Sequence, residues 1–259
     1  MKILKFTLCG KTAFFKKPDV NTYLYFTYGN IHKVALLGMF GAILGYSGYN
    51  RSKLMSIVEK VDEKRFPEFY EKLKDLKISI KPNSKNGLFS KKLQTFNNSV
   101  GYCNIDKNNK PCNLVVKEQW IENPSWDIYV VIDSEESKNI MKAILNKSAI
   151  FIPYLGKNDH LADIKEAEII NDNEVSLNLK AKTINCLCPK SLFDIYLDDD
   201  ENDDDEKYEE TFKYEESLPI ALDEESGMYR LEKFFFTNLN VKGKDSPIYK
   251  VREENIVFY

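Results

Sequence analysis

Residues 34–46, VALLGMFGAILGY, are the most apolar run of the chain and carry glycines at positions 38, 41 and 45. A bilayer span takes about 20 residues, so a run of thirteen must be buried inside the protein. It has no polar face, which predicts a helix packed against a sheet. The glycine spacings of three and four put all three on one side of that helix. Each costs ~1 kcal/mol of helix propensity against alanine, so close backbone packing, expected here against the sheet, is the compensation. The sheet signal stands upstream, where Ile3, Leu4, Phe6 and Leu8, spaced by Lys5 and Thr7, predict a first strand with one polar face.

Residues 51–76 continue as amphipathic helix, in two pieces broken near Pro67. Ile78 and Ile80 mark a second strand. Residues 82–111 hold seven asparagines and few aliphatic side chains, predicting a long polar loop or hairpin; loops of this length are usually functional or disordered. Residues 114–120 and 127–133 read as an antiparallel pair joined by a turn at Asn123-Pro124. Ser134-Glu135 caps a helix striped by Ile140, Met141, Ile144 and Leu145, and residues 150–154 read as another strand. The order β-α-β-loop-β-α-β predicts an α+β chain whose residues 1–164 form a ferredoxin-like (RRM-like) domain with a thumb at about 82–111. Residues 165–259, with short strands at 175–179, 229–235 and 256–259, read as a smaller β-rich region.

Charge is unevenly spread. Residues 1–120 hold 21 basic and 9 acidic side chains, whereas residues 121–259 hold 16 and 31, hidden in a total of only −3. The first half therefore suits a polyanion. Residues 194–216 carry 13 acids and two lysines, a solvated excursion. Its DDDENDDDE lacks the central glycine and ligand spacing of a calcium loop, and His32 and His160 form no two-histidine motif, so no metal or cofactor is expected. Gly10-Lys11-Thr12 is no phosphate loop, because Lys5 stands where its first glycine belongs. Five cysteines without a CxxC pair or a secretory leader read as reduced thiols of a cytoplasmic protein with no membrane segment.

Between the first strand and the apolar helix, Lys11, Lys16, Lys17 and Lys33 interleave with Phe14, Phe15, Tyr23, Tyr25 and Tyr28. Lysines neutralise phosphates and aromatic faces stack unpaired bases, so this loop suits single-stranded nucleic acid. The plainer alternative puts Phe14 and Phe15 in the core and leaves the lysines as a solvated rim. Lys85, Lys91, Lys92, Lys107 and Lys110 extend the basic set into the thumb. His32 reads either as a solvent-facing residue or as a phosphate contact at the helix N-terminus. As a general base it needs a partner such as Lys33 or Tyr28.

Four segments together resemble the Cas five family of CRISPR-associated proteins, in its type I-B-like form. FTLCGKTAFFKKPDVNTYLYFTYGNIHK, residues 6–33, is similar to the family's opening strand and basic-aromatic loop. ALLGMFGAILGY, residues 35–46, is similar to its glycine-spaced first helix. PYLGKNDHLADI, residues 153–164, resembles its Gly-Lys-Asn element, and RLEKFFFTNLNV, residues 230–241, its C-terminal strands. The match covers the first half well and the second half loosely.

The resemblance implies a repeat-associated mysterious protein (RAMP) with a ferredoxin-like fold. It implies a non-catalytic subunit of a Cascade-like antiviral complex that binds the 5′ handle of CRISPR RNA and caps the backbone. Its partners would be a Cas seven family backbone subunit and the large subunit, and residues 82–111 would be the family's RNA-gripping thumb. The RNA-binding set is then Lys11, Phe14, Lys16, Lys17, Tyr28, His32, Lys33, Lys85, Lys91 and Lys92. The type I-C branch cuts precursor RNA, so the alternative is a metal-independent endoribonuclease using Tyr28, His32 and Lys33.

The acidic segment generates a first test. It has almost no aliphatic side chains to bury and repels itself. Replacing residues 199–206 by a Gly-Ser linker should leave Tm within about 4 °C, the shift that roughly 1 kcal/mol produces in a chain of this size. A fall as large as that of a core mutation would show the segment to be packed.

Overall fold

The structure, a computed structural model, describes residues 1–19, 23–59, 66–98, 110, 113–196, 210–244 and 246–259. The chain opens with β1 (Ile3–Cys9) and the two-residue β2 (Thr12–Ala13). Three helices follow: α1 (Lys33–Leu44), α2 (Tyr49–Glu59) and α3 (Glu68–Leu73), the last starting after Pro67 as expected. Then come β3 (Ile78–Pro82), β4 (Lys91–Asn97), β5 (Val115–Glu122), β6 (Ser125–Val131), α4 (Glu135–Leu145) and β7 (Asp163–Ile170). Four of these strands make one antiparallel sheet in the order β3-β6-β1-β7.

One face of that sheet takes α1. Leu36, Leu37 and Phe40 share a core with Leu4, Phe6 and Leu8 of β1, Ile80 of β3 and Ile128 of β6. Amphipathic α4 adds Ile140 and Ile144, with the Ser134 hydroxyl capping it by accepting from Ser137 N at 3.1 Å. The glycines of α1 serve a different contact from the one expected. A Cβ on Gly41 would lie 2.5 Å from Cβ of Phe69 in α3, so the close approach is helix to helix; Gly45 lies past the helix end, as its cap.

The other face of the sheet is covered by the C-terminal strands. These are β8 (Val175–Leu177), β9 (Cys188–Pro189), β10 (Phe193–Tyr196), β11 (Lys213–Leu222), β12 (Tyr229–Thr237), β13 (Asn240–Gly243), β14 (Tyr249–Val251) and β15 (Glu254–Ile256). They pair as β11-β12-β9, β10-β13 and β15-β14-β8. Ile184, Cys186, Phe193, Phe235 and Val241 cluster with Ile3, Tyr129 and Ile170 of the main sheet. Leu187, Leu218, Leu222 and Phe234 instead join the core under α1, so the two regions are packed together. Both ends of the acidic stretch 194–216 are strand, in β10 and β11. Its middle, 197–209, and thumb residues 99–109 with Lys107 lie outside the described residues, as do Cys103 and Cys112. The described cysteines, Cys9, Cys186 and Cys188, are free thiols.

Two strand expectations need correction. β5 and β6 are consecutive but unpaired: β5 joins β4 and β2, whereas β6 lies between β1 and β3. Asn123, in the left-handed region at φ 46, turns the chain from one sheet into the other. β6 is buried on both faces over Ile128–Val131, which demands a central position, whereas β5 keeps exposed positions and stands outside. Residues 150–154 are not a strand either. Ile150 N and Phe151 N donate to the carbonyls of Ile43 and Ala42 at 2.9 and 3.2 Å, satisfying acceptors that the end of α1 leaves open. The fourth strand is β7, which runs straight through residues 164 and 165.

Gly41→Leu should lower the urea midpoint, costing about 1–3 kcal/mol or more through overpacking against Phe69. Adding Phe69→Ala should recover part of that loss, because the two changes share one contact. Strict additivity of the two would show that Phe69 is not the obstacle.

Candidate nucleic-acid interface

The loop after β1 folds back on itself and then joins β5. Tyr28 N donates to Phe15 O and Lys17 N to Phe26 O, both at 2.9 Å. Tyr25 N donates to Lys117 O, and Gln119 N to Tyr25 O, again at 2.9 Å, so the loop is stitched along β5. β2 holds the other end of β5, with Thr12 opposite Glu122 and Ala13 opposite Ile121. The loop, β5 and β4 thereby form one continuous surface. Residues 156–160 close over it, and only glycine permits this at 156. With φ 87, a Cβ there would lie 2.0 Å from the carbonyl oxygen of Phe14.

Lysines ride on aromatic faces across this surface. Lys16 Nζ lies 3.9 Å from the Tyr25 ring centroid, and Lys17 Nζ 5.2 Å from that of Tyr28. On β4 and β5, Lys92 stands 5.9 Å from Trp120, and Lys157 reaches 5.0 Å from Phe96. Such pairs are worth about 0.5–1 kcal/mol at exposed sites, enough to orient an amine without immobilising it. Acids hold several of these amines. Glu118, only 5% exposed, accepts from the Trp120 indole N–H at 2.7 Å and from Lys157 at 3.3 Å. Glu122 pairs with Lys92 at 3.5 Å, and Glu216 of β11 with Lys17 at 3.1 Å. Among the described residues, Lys11 and Lys16 are exposed and have no carboxylate partner.

The expected site residues divide by burial. Lys11, Lys16 and Lys91 are exposed, and Lys17 and Lys92 half-buried. Partial desolvation by neighbouring protein lowers the pKa of Lys91, with Glu216 acting the other way and Lys17 adding to the fall. Lys85, between β3 and β4, pairs with Glu210 at 3.5 Å in full solvent. Phe14 is 4% exposed, against the His160 ring, so it offers no face for stacking. Tyr28 is buried too, and its hydroxyl is pushed up to about 12 by burial, with Tyr229, Asp19 and Glu216 adding to the rise.

His32 is not solvent-facing. It is the N-cap of α1, its Nδ1 accepting from Ala35 N at 3.2 Å, and burial lowers its pKa to about 3. A neutral ring 3% exposed offers a phosphate no charge. Lys33 Nζ donates to the carbonyl of Tyr259 at 3.2 Å, and burial lowers its pKa. Tyr28 and His32 do meet, ring to ring at 5.2 Å, but the Lys33 amine is engaged elsewhere.

Sequence reasoning missed Trp120, Glu118, Lys157 and His160. His160 is buried, its Nδ1 2.6 Å from Thr12 Oγ1, and its ring meets that of Trp120 at 88° and 4.6 Å. The Gly156-Lys157-Asn158 element was the available signal for Lys157.

No protein-family model matches the chain, and no curated protein does. Its fold is similar to that of a chain in a solved "CRISPR RNA-guided surveillance complex", with a TM-score of 0.50 at 10% identity over 93% of this chain and 91% of that one. A CRISPR protein from Archaeoglobus fulgidus superposes at TM-score 0.47 and 10% identity, over 99% of this chain and 98% of that one. A solved Cas protein gives 0.42 at 13%, over 94% and 96%. At such identities the likeness is one of fold. No described helix is long and apolar enough to cross a membrane.

His32 makes the stability depend on pH. Its pKa is about 3 folded and 6.5 in the ordinary state, so between these values the unfolded chain binds more protons. The stabilisation is therefore complete above about pH 6.5 and is lost as pH falls toward 3. Moving from pH 7.5 to pH 5 should cost the native protein about 2 kcal/mol more than His32→Asn, which keeps a capping side chain but does not titrate. Equal losses in urea titrations would show that His32 is not neutral when folded.

Proposed function

We propose that this chain is a non-catalytic RNA-binding subunit of a Cascade-like CRISPR surveillance complex, holding the unpaired 5′ handle of the guide RNA between residues 14–28 and the β4–β5 thumb. The observation that carries this is the row of lysine–aromatic pairs on one stitched surface: Lys16 on Tyr25, Lys92 on Trp120, Lys157 on Phe96. RNA gives each partner something better, a phosphate for the amine and a base for the ring. The strand order β3-β6-β1-β7, with helices after β1 and β6, supports the reading of a ferredoxin-like core. The fold likeness to a chain of an RNA-guided complex supports the same reading. A backbone subunit of the Cas seven family and a large subunit would be its neighbours. The binder is preferred to the endoribonuclease because His32 is a buried cap and Lys33 is bound to a backbone carbonyl.

Salt dependence tests it. Each phosphate neutralised on a single strand contributes a slope near −0.7, so Lys11→Ala with Lys16→Ala should shallow the slope by about 1.4. Trp120→Ala should instead cost about 1–3 kcal/mol with little change in slope. Lys165→Ala and Lys250→Ala, in β7 and β14, should change neither. A native slope in the Lys11/Lys16 variant overturns the proposed surface. Cleavage of repeat RNA in EDTA that disappears with His32→Asn replaces the binder by the endoribonuclease.

A further inference from the structure

A cleft of about 630 Å³ opens beside the RNA surface, between α1, residues 151–156 and the start of β12. That is the size of a small-molecule site. Its floor is one side of α1, made of the small residues Ala35, Gly38 and Ala42. A Cβ on Gly38 would meet only the Phe69 ring, at 3.9 Å, so the space above it is open. Its walls are aromatic: Phe15, Phe69, Phe151, Tyr154 and Tyr229.

The cleft also has two polar features, at His32 and Lys16. With Nδ1 of a neutral His32 accepting from Ala35 N, the ring proton sits on Nε2, which no described residue bonds. The Lys16 amine, already part of the RNA surface, also lines the cleft. A planar ring with an acceptor on its edge and a phosphate outside fits this chemistry. An aliphatic occupant would leave the imidazole N–H and the lysine without a counterpart.

We propose that this cleft takes one nucleobase swung out of the bound strand, stacked between Tyr154 and Tyr229, with His32 Nε2–H donating to its edge and Lys16 meeting its phosphate. This deepens the RNA-binding reading and rests on it. The strand would thus be anchored by a base as well as by its charge. A free mononucleotide has the same chemistry, and the test separates the two sources.

Gly38→Leu is the discriminating variant. It fills the cleft from the floor, meets nothing closer than Phe69, and replaces glycine in a helix by a better helix former. The full-length protein should keep its Tm or gain, while its affinity for an eight-nucleotide guide-handle RNA falls about tenfold with an unchanged salt slope. A series of the same RNA with one abasic ribose per position should show a comparable loss at one position in the native protein, and none at that position in Gly38→Leu. AMP, GMP, CMP and UMP are titrated in parallel. Competition of one of them with the RNA, lost in Gly38→Leu, supports the cleft as a base site. Native RNA affinity in a folded Gly38→Leu protein overturns the proposal and leaves the RNA surface standing. So does mononucleotide binding that Gly38→Leu abolishes without touching RNA affinity. Absence of salt-dependent RNA binding by the native protein overturns both.

Discussion

Asn30 is the joint on which the arrangement turns. It is fully buried, its amide donates to the Gly87 carbonyl at 3.1 Å, and it accepts from the Trp126 indole N–H at 2.9 Å. One side chain therefore fastens the end of the basic loop to β6 of the main sheet and to the segment that leads into β4. Leaving any of these groups unpaired in the core would cost about 1–3 kcal/mol. Close by, Tyr25 holds the loop on β5 through its bonds to Lys117 and Gln119. Gly156 completes the fixation from the opposite side by lying against the Phe14 carbonyl.

Much of the basic loop's charge is balanced by acids from distant parts of the chain. β11 places Glu216 so that it accepts from Gly29 N at 2.8 Å and from the Tyr214 hydroxyl at 2.6 Å, and its other oxygen faces Lys17. The downstream end of the acidic stretch is therefore part of the packed structure and a built-in counter-charge to the candidate surface. Glu118 does the same for Lys157 from β5. What remains for a polyanion is narrower than composition suggests, and includes Lys11, Lys16 and Lys91 outright, and Lys92 and Lys157 by exchange of partners.

The aromatic content of the loop is likewise divided between two jobs. Phe14, Phe15 and Tyr28 build the core that fixes the loop, as the plainer reading of that segment held for the two phenylalanines. Tyr25 and Trp120 of β5 remain partly exposed. Alternation within the loop did not separate these roles, because the loop folds against β5, α1 and residues 156–160 at once. Which ring faces inward depends on all three.

The elements were largely written in local pattern. The apolar run gave α1, the alternation at residues 3–9 gave β1, and the Ile140, Met141, Ile144 and Leu145 stripe gave α4, since each is set by the period of its own backbone. Pairing was not. That β6 leaves β5 to lie between β1 and β3, that Gly41 meets Phe69, and that residues 150–151 finish α1 instead of forming a strand all depend on partners far along the chain. The site divides in the same way. Lysine and aromatic content pointed to residues 11–33, but only the tertiary structure buried His32 as a cap, turned Lys33 to Tyr259 and brought Lys157 over Phe96, because burial and long-range ion pairing belong to the folded surface and leave no period in the sequence.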